Sequence, residues 1–135
     1  MKQITIPAKV EKLDTLLDFI TDIMQKLNIN EMLQSKISVA VEEIFVNIAH
    51  YAYPSKDGDV IISVNNQNDR IMIELRDTGV PYNPLEKEDP DITLSAEERS
   101  IGGLGIFMVK KIMDDVTYEY NNGQNILTLI KNYTP

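Results

Sequence analysis

Glu43 and Asn47 stand one helical turn apart in the run AVEEIFVNIAHYAY, Ala40 to Tyr53. Residues four apart stack on one side of a helix, so the two polar groups share a stripe, with small Ala40 one turn earlier. The neighbours Val39, Val41, Ile44, Phe45, Val46, Ile48 and Ala49 leave little room for a wet face, so a mostly buried helix is expected. A carboxylate and a carboxamide inside such a helix need partners, because burying either alone is costly. An Asn oxygen suits a hard cation such as Mg2+, which takes few protein ligands and completes its shell with phosphates. A Glu one turn away can polarise a hydroxyl or a water near that cation. Local hydrogen bonds would also satisfy both groups, so this helix by itself leaves the choice open.

Two further stretches carry chemistry. In Ile71 to Asp77, alternation puts Ile71, Ile73, Leu75 and Asp77 on one face of a strand. Asp77 therefore ends the strand aimed at the core, where a carboxylate requires a donor such as the exocyclic amine of adenine. Gly79 next to it lets the backbone bend and come close, although Asp-x-Gly is also a common turn. Gly102, Gly103 and Gly105 open an apolar run, GGLGIFMVKKIMDDV. Glycines before a helix let amides converge at the positive end of its dipole, an anion site; a hinge with close packing is the other reading. No GxxxxGK[ST] sequence is present, and GGLGIFM lacks the third glycine of a dinucleotide fingerprint.

The elements that must position these groups follow from periodicity. Residues 2 to 6 alternate as a short strand before Pro7. Val10 to Leu27 shows the helical period, with Asp, Glu and Lys opposite the apolar side. Asn30 fits as N-cap of a helix from Glu31 towards Tyr53, ended by Pro54. Ser55 to Asp59 reads as a turn with Asp57-Gly58 at its tip. Strands follow at Val60 to Asn65 and Ile71 to Arg76. Asn83 to Ser100 is long and polar, as lids and binding loops are, and Ser95 with Glu98 could cap a helical turn within it. A helix over Leu104 to Met113 then precedes a hairpin, Val116 to Tyr120 and Asn125 to Lys131, with Asn122-Gly123 in its turn. The expected fold is α+β: a two-layer α/β sandwich with a mixed, mostly antiparallel sheet and helices on one face.

Composition narrows the partners. A chain of 135 residues suits one domain, here 1–135 with a lid at about 83–100. Its net charge of −8 argues against sequence-independent nucleic-acid binding, which needs a basic face. Cysteine is absent, excluding disulfides, thiolate metal sites and cysteine nucleophiles, and a single His excludes a multi-His site. No signal-peptide pattern opens the chain and no apolar run could span a bilayer, so a soluble cytoplasmic domain without membrane contact is expected.

The order of these features resembles the GHKL, or Bergerat-fold, ATPase superfamily, and within it the stand-alone anti-sigma factor serine/threonine-protein kinases. VEEIFVNIAHYAY is similar to the N-box, RDTGVPYNP to the first glycine box, and GGLGIFMVKKIMDDV to the second. The resemblance implies ATP and Mg2+ as ligands. It implies Glu43 as catalytic base, Asn47 as Mg2+ ligand, Asp77 as adenine acceptor, and Gly79, Gly103 and Gly105 as backbone contacts around the nucleotide. Relatives often carry His where Tyr51 stands here; His50 precedes that place and is read as a helix-surface residue without a catalytic role. Arg99 is either a γ-phosphate contact or a surface residue, and Lys110 and Lys111 are read as solvated or as complementing their helix C-terminus.

The function so implied is an ATP-dependent protein serine kinase and anti-sigma factor. It would switch between binding a sigma factor and phosphorylating an antagonist protein, and relatives of this type pair as homodimers. The other reading is an ATP-gated protein-binding module with little or no kinase activity. A histidine kinase's ATP-binding domain fits less well, since the first helix contains no phosphoacceptor His.

Overall fold

The computed structural model describes residues 1–86 and 103–134. Strand β1 (Lys2–Pro7) leads through a single 3-10 turn (Val10–Lys12) into helix α1 (Leu13–Lys26), and helix α2 (Glu31–Tyr51) follows. Strands β2 (Asp59–Asn66) and β3 (Arg70–Asp77) come next, then a 3-10 turn (Pro84–Glu86). Helix α3 (Gly103–Ile112) and strands β4 (Asp115–Asn121) and β5 (Gln124–Asn132) complete the fold.

The five strands form one sheet in the order β1-β2-β3-β5-β4. Every pairing is antiparallel, so the parallel pair implied by a mixed sheet is not formed among the described residues. The α+β two-layer arrangement itself is as expected. Turns joining neighbours explain the antiparallel order: Asn68 and Asp69 at φ 55° and 57°, and Asn122 and Gly123 at φ 53° and 78°, close the β2–β3 and β4–β5 hairpins. Asn and Asp tolerate this left-handed backbone better than other residues with a Cβ.

One face of the sheet carries the core. Val60, Ile62 and Val64 of β2, Ile71, Ile73 and Leu75 of β3, and Leu127 and Leu129 of β5 are buried against the helices. Leu16, Ile20, Ile23 and Met24 form the buried stripe of α1. Fully burying such side chains contributes about 1.5–3 kcal/mol each, which fixes the helix faces more firmly than propensity does. Helix α2 lies between α1 and α3.

Helix α2 begins as its sequence suggests, with Asn30 Oδ1 accepting from the Leu33 amide at 2.8 Å. It ends at Tyr51, before the expected Tyr53, because Ala52 and Tyr53 turn to meet the loop after β3. Its burial is one-sided. Ile37, Ala40, Val41, Ile44 and Phe45 are buried, whereas Val46, Ile48 and Ala49 are half-buried and Val39 is 36% exposed. The expectation of a mostly buried helix with little room for a wet face is thus corrected, since sheet and helices cover a single side. The bend after α2 falls at Pro54 to Lys56, and Asp57-Gly58 runs straight into β2 instead of forming the tip. Ser95, Glu98, Arg99 and Gly102, with most of the expected lid, lie outside the described residues.

Candidate functional site

The C-terminal half of α2, the end of β3 and the start of β5 converge on one pocket. It holds about 430 Å³ of empty space including its open mouth. Ile44, Ile48, Leu75 and Leu127 give it apolar walls, and Asn47, Asp77 and Asn125 contribute polar groups. Two candidate residues 30 positions apart in sequence, Asn47 and Asp77, thus face the same space.

Asp77 is inward-facing, as strand parity requires: burial alternates along β3 and Asp77 is 5% exposed. Its Oδ1 accepts from the Gly79 amide at 2.8 Å and from Asn125 Nδ2 at 2.9 Å. Burial pushes its carboxyl above the ordinary value of 3.8, and the bonds from Asn125 and Gly79 pull the other way. The group is a desolvated acceptor, held in place and suited to a donor that arrives from the pocket.

Asn47 is half-buried, and its Nδ2 donates to the main-chain oxygen of Glu43 at 2.9 Å. That bond ties the amide nitrogen to the helix and leaves Oδ1 as the end able to meet a cation. Among the described residues no group of three or more His, Asp or Glu side chains is arranged to hold a metal. A lone Asn oxygen is the kind of ligand a hard cation takes when phosphate oxygens fill most of its shell.

Glu43, one turn earlier, lies outside this pocket and packs against α3. A methyl group on Gly105 would stand 2.1 Å from Glu43 Oε2. Gly103 is the first residue of α3, so the glycines do open a helix as expected. Gly79 makes its close approach to α2: a Cβ there would fall 2.2 Å from the Ala52 carbonyl oxygen, and Val80 N–H donates to that same oxygen at 2.8 Å. Tyr53 reinforces the junction, its hydroxyl donating to Asp59 O at 2.7 Å and accepting from Thr78 N at 2.9 Å. His50 is exposed, edge-on to Tyr51 at 6.1 Å between ring centroids. The Lys111 ammonium lies 5.3 Å from the Phe107 ring centroid near the end of α3.

Sequence reasoning missed Asn125, Tyr82 and Tyr118. Asn125 is 6% exposed and pairs with Asp77 across the β3–β5 register. The parity argument that marks Asp77 also marks Asn125, which is in frame with inward Leu127 and Leu129. Tyr82 had no such signal, as it follows Pro81 in irregular backbone and packs its ring against Tyr51 at 5.8 Å.

A sequence model of the histidine kinase-like ATPase domain matches residues 6–131. The chain belongs to that family. The match covers α2, β3, α3 and β5, the elements on which Glu43, Asn47, Asp77, Gly103, Gly105 and Asn125 are carried. Among similar proteins, a serine-protein kinase RsbW of Bacillus mycoides is 26% identical over 129 residues, covering 93% of this chain and 81% of that protein. RsbW of Listeria monocytogenes is 26% identical over 96 residues, covering 67% of this chain and 61% of the relative. The fold matches the RsbU and RsbW domains of Rv1364c from Mycobacterium tuberculosis with a TM-score of 0.69 at 13% identity, over 100% of this chain and 34% of that one. It also matches the histidine kinase AdeS of Acinetobacter baumannii, with a TM-score of 0.53 at 13% identity, over 100% of this chain and 70% of the other. Among the described residues of this histidine kinase-like ATPase domain, no helix is long and apolar enough to cross a membrane.

Proposed function

We propose that this histidine kinase-like ATPase domain is an ATP-dependent protein serine kinase that works as a partner switch. In one state it would hold a sigma factor, and in the other it would phosphorylate an antagonist of that hold. The observation that carries the reading is the arrangement along α2. Asn47 opens on the same pocket as buried Asp77, while Glu43, one turn back, lies against Gly105 of α3. Similarity to proteins named serine-protein kinase RsbW supports it.

Each side chain then has one task. Asp77 accepts from the base, and the apolar walls from Ile44, Ile48, Leu75 and Leu127 exclude water around the ring. Asn47 Oδ1 would hold Mg2+, which when bound supplies charge neutralisation at the phosphates. Gly103 and Gly105, at the N-terminal turn of α3, bring main-chain amides and no side-chain bulk towards the phosphates. Glu43 orients the attacking serine hydroxyl and takes its proton, so that catalysis is mostly positioning and electrostatics. The acidic surface implied by a net charge of −8 would serve protein recognition.

Phosphotransfer from labelled ATP to candidate antagonist proteins of the source organism tests the proposal. Label on a serine of one candidate, dependent on Mg2+, is the expected result. ATP that controls partner binding while no candidate takes phosphate would favour an ATP-gated binding module instead.

A further inference from the structure

Asn125 uses every hydrogen-bonding position of its carboxamide. Nδ2 donates to Asp77 Oδ1 at 2.9 Å and to the Val80 carbonyl at 3.0 Å, with the Gly79 carbonyl at 3.5 Å. Oδ1 accepts from the Tyr82 amide at 3.1 Å and from the Tyr118 hydroxyl. This surrounding fixes which end is which. Turning the amide over would press its oxygen against the Asp77 carboxylate and the Val80 carbonyl, and its NH2 against the Tyr82 N–H. Towards Asp77, therefore, Asn125 acts as a donor and holds the carboxyl in its accepting form.

Both bonds that the described residues make to Asp77 end on Oδ1, from Asn125 and from the Gly79 amide. Among the described residues nothing bonds to Oδ2, which is the oxygen a donor from the pocket would meet. Asn125 has no spare N–H to offer a carbonyl at the same place, and the carboxylate repels one. We propose that Asn125 is the positioning residue for base selection. It locks Asp77 as an acceptor and ties Val80 and Tyr82 at the pocket mouth to β5, so that a nucleotide whose base bears an exocyclic amine is preferred over one that lacks it. The inference rests on the nucleotide reading above and adds the residue that sets its selectivity. A buried site built to accept one hydrogen bond discriminates strongly against a ligand that lacks the donor, because its polar group then stays unpaired.

The test compares binding of Mg·ATP with that of the triphosphate of purine riboside, which lacks the amine, in the parent, Asn125→Ala and Tyr118→Phe proteins. The parent is expected to prefer ATP by at least ~10-fold, the scale of one charge-assisted hydrogen bond. Asn125→Ala should bring that ratio near unity, and Tyr118→Phe, which frees one side of the carboxamide, should narrow it part of the way. A purely structural role would weaken both nucleotides alike and leave the ratio where it was. A folded Asn125→Ala protein with the parent's ratio overturns the proposal. Where that variant does not fold, an unchanged ratio in Tyr118→Phe overturns it. A parent that binds both nucleotides equally removes selectivity, and the proposal with it, but leaves nucleotide binding intact. A parent that binds neither overturns the nucleotide reading itself and this inference along with it.

Discussion

The Glu43 carboxylate occupies the space that a side chain at Gly105 would need, with Oε2 at 2.1 Å and Cδ at 2.9 Å from the place of a Cβ. Two elements separated by the whole sheet hairpin and the segment after it are fitted to each other at this point. The neighbour is the far end of a flexible side chain, so a methyl there would move the carboxylate and spare the backbone. Alanine is also the better helix former by about 1 kcal/mol. Gly105→Ala is therefore expected to melt at or above the parent temperature while phosphotransfer drops at least about ten-fold, the loss being that of a displaced general base. Parent-like phosphotransfer in this variant would show that the contact has no part in the chemistry.

Glu43 and Asn47 share a stripe and should separate cleanly on mutation. Glu43→Gln should keep ATP affinity within a few fold and lose ~100- to 10,000-fold in phosphotransfer rate, as removal of a general base does. Asn47→Ala should instead weaken ATP binding in the presence of Mg2+ and with it every later step. Calorimetry and a labelled-phosphate assay on the two proteins distinguish these profiles; identical profiles would sink the division of labour.

Burying the Asp77 carboxyl carries a cost to folding. Burial raises its folded carboxyl above the ordinary value of 3.8. The folded state then holds more protons than the unfolded state between the two values, so stability falls as pH rises through that window and stays lower above it. Asp77→Asn removes the penalty. At neutral pH the variant should unfold at the same or higher urea than the parent, and its advantage should shrink as pH falls through the raised folded value and be gone below the ordinary value of 3.8. Its ATP affinity should fall by about 1.5–3 kcal/mol, the worth of a hydrogen bond to a charged group. A variant less stable than the parent at pH 7 and equal to it in acid contradicts the sign.

Gly79 meets backbone, which cannot step aside. A Cβ there would stand 2.2 Å from the Ala52 oxygen and 2.6 Å from its carbonyl carbon, beside the 2.8 Å bond from Val80 N to that oxygen. Gly79→Ala should destabilise by about 1–3 kcal/mol, the usual range for overpacking. Urea unfolding measures it, and an unchanged midpoint would mean that the turn shifts freely on α2.

Much of this molecule follows from the chain alone. Period-2 alternation in Ile71 to Asp77 is enough to aim Asp77 inward, because a strand has just two faces. Spacing of four is enough to align Glu43 with Asn47, and Asn30 and Asn122-Gly123 mark a helix start and a hairpin by local backbone chemistry. Such signals act over a few residues, so sequence carries them directly. What only the tertiary structure decided depends on contacts between distant segments. Antiparallel pairing throughout, the exposed side of α2 at Val39, and its early end where Ala52 and Tyr53 meet Gly79 and Thr78 are set by neighbours that no window contains. The same holds for Asn125. Its parity was readable, but its saturation by Asp77, Val80, Tyr82 and Tyr118 exists only once β5 lies beside β3 and the segment after β3 folds across their ends. Periodicity fixes which way a side chain points; packing alone fixes what it meets there.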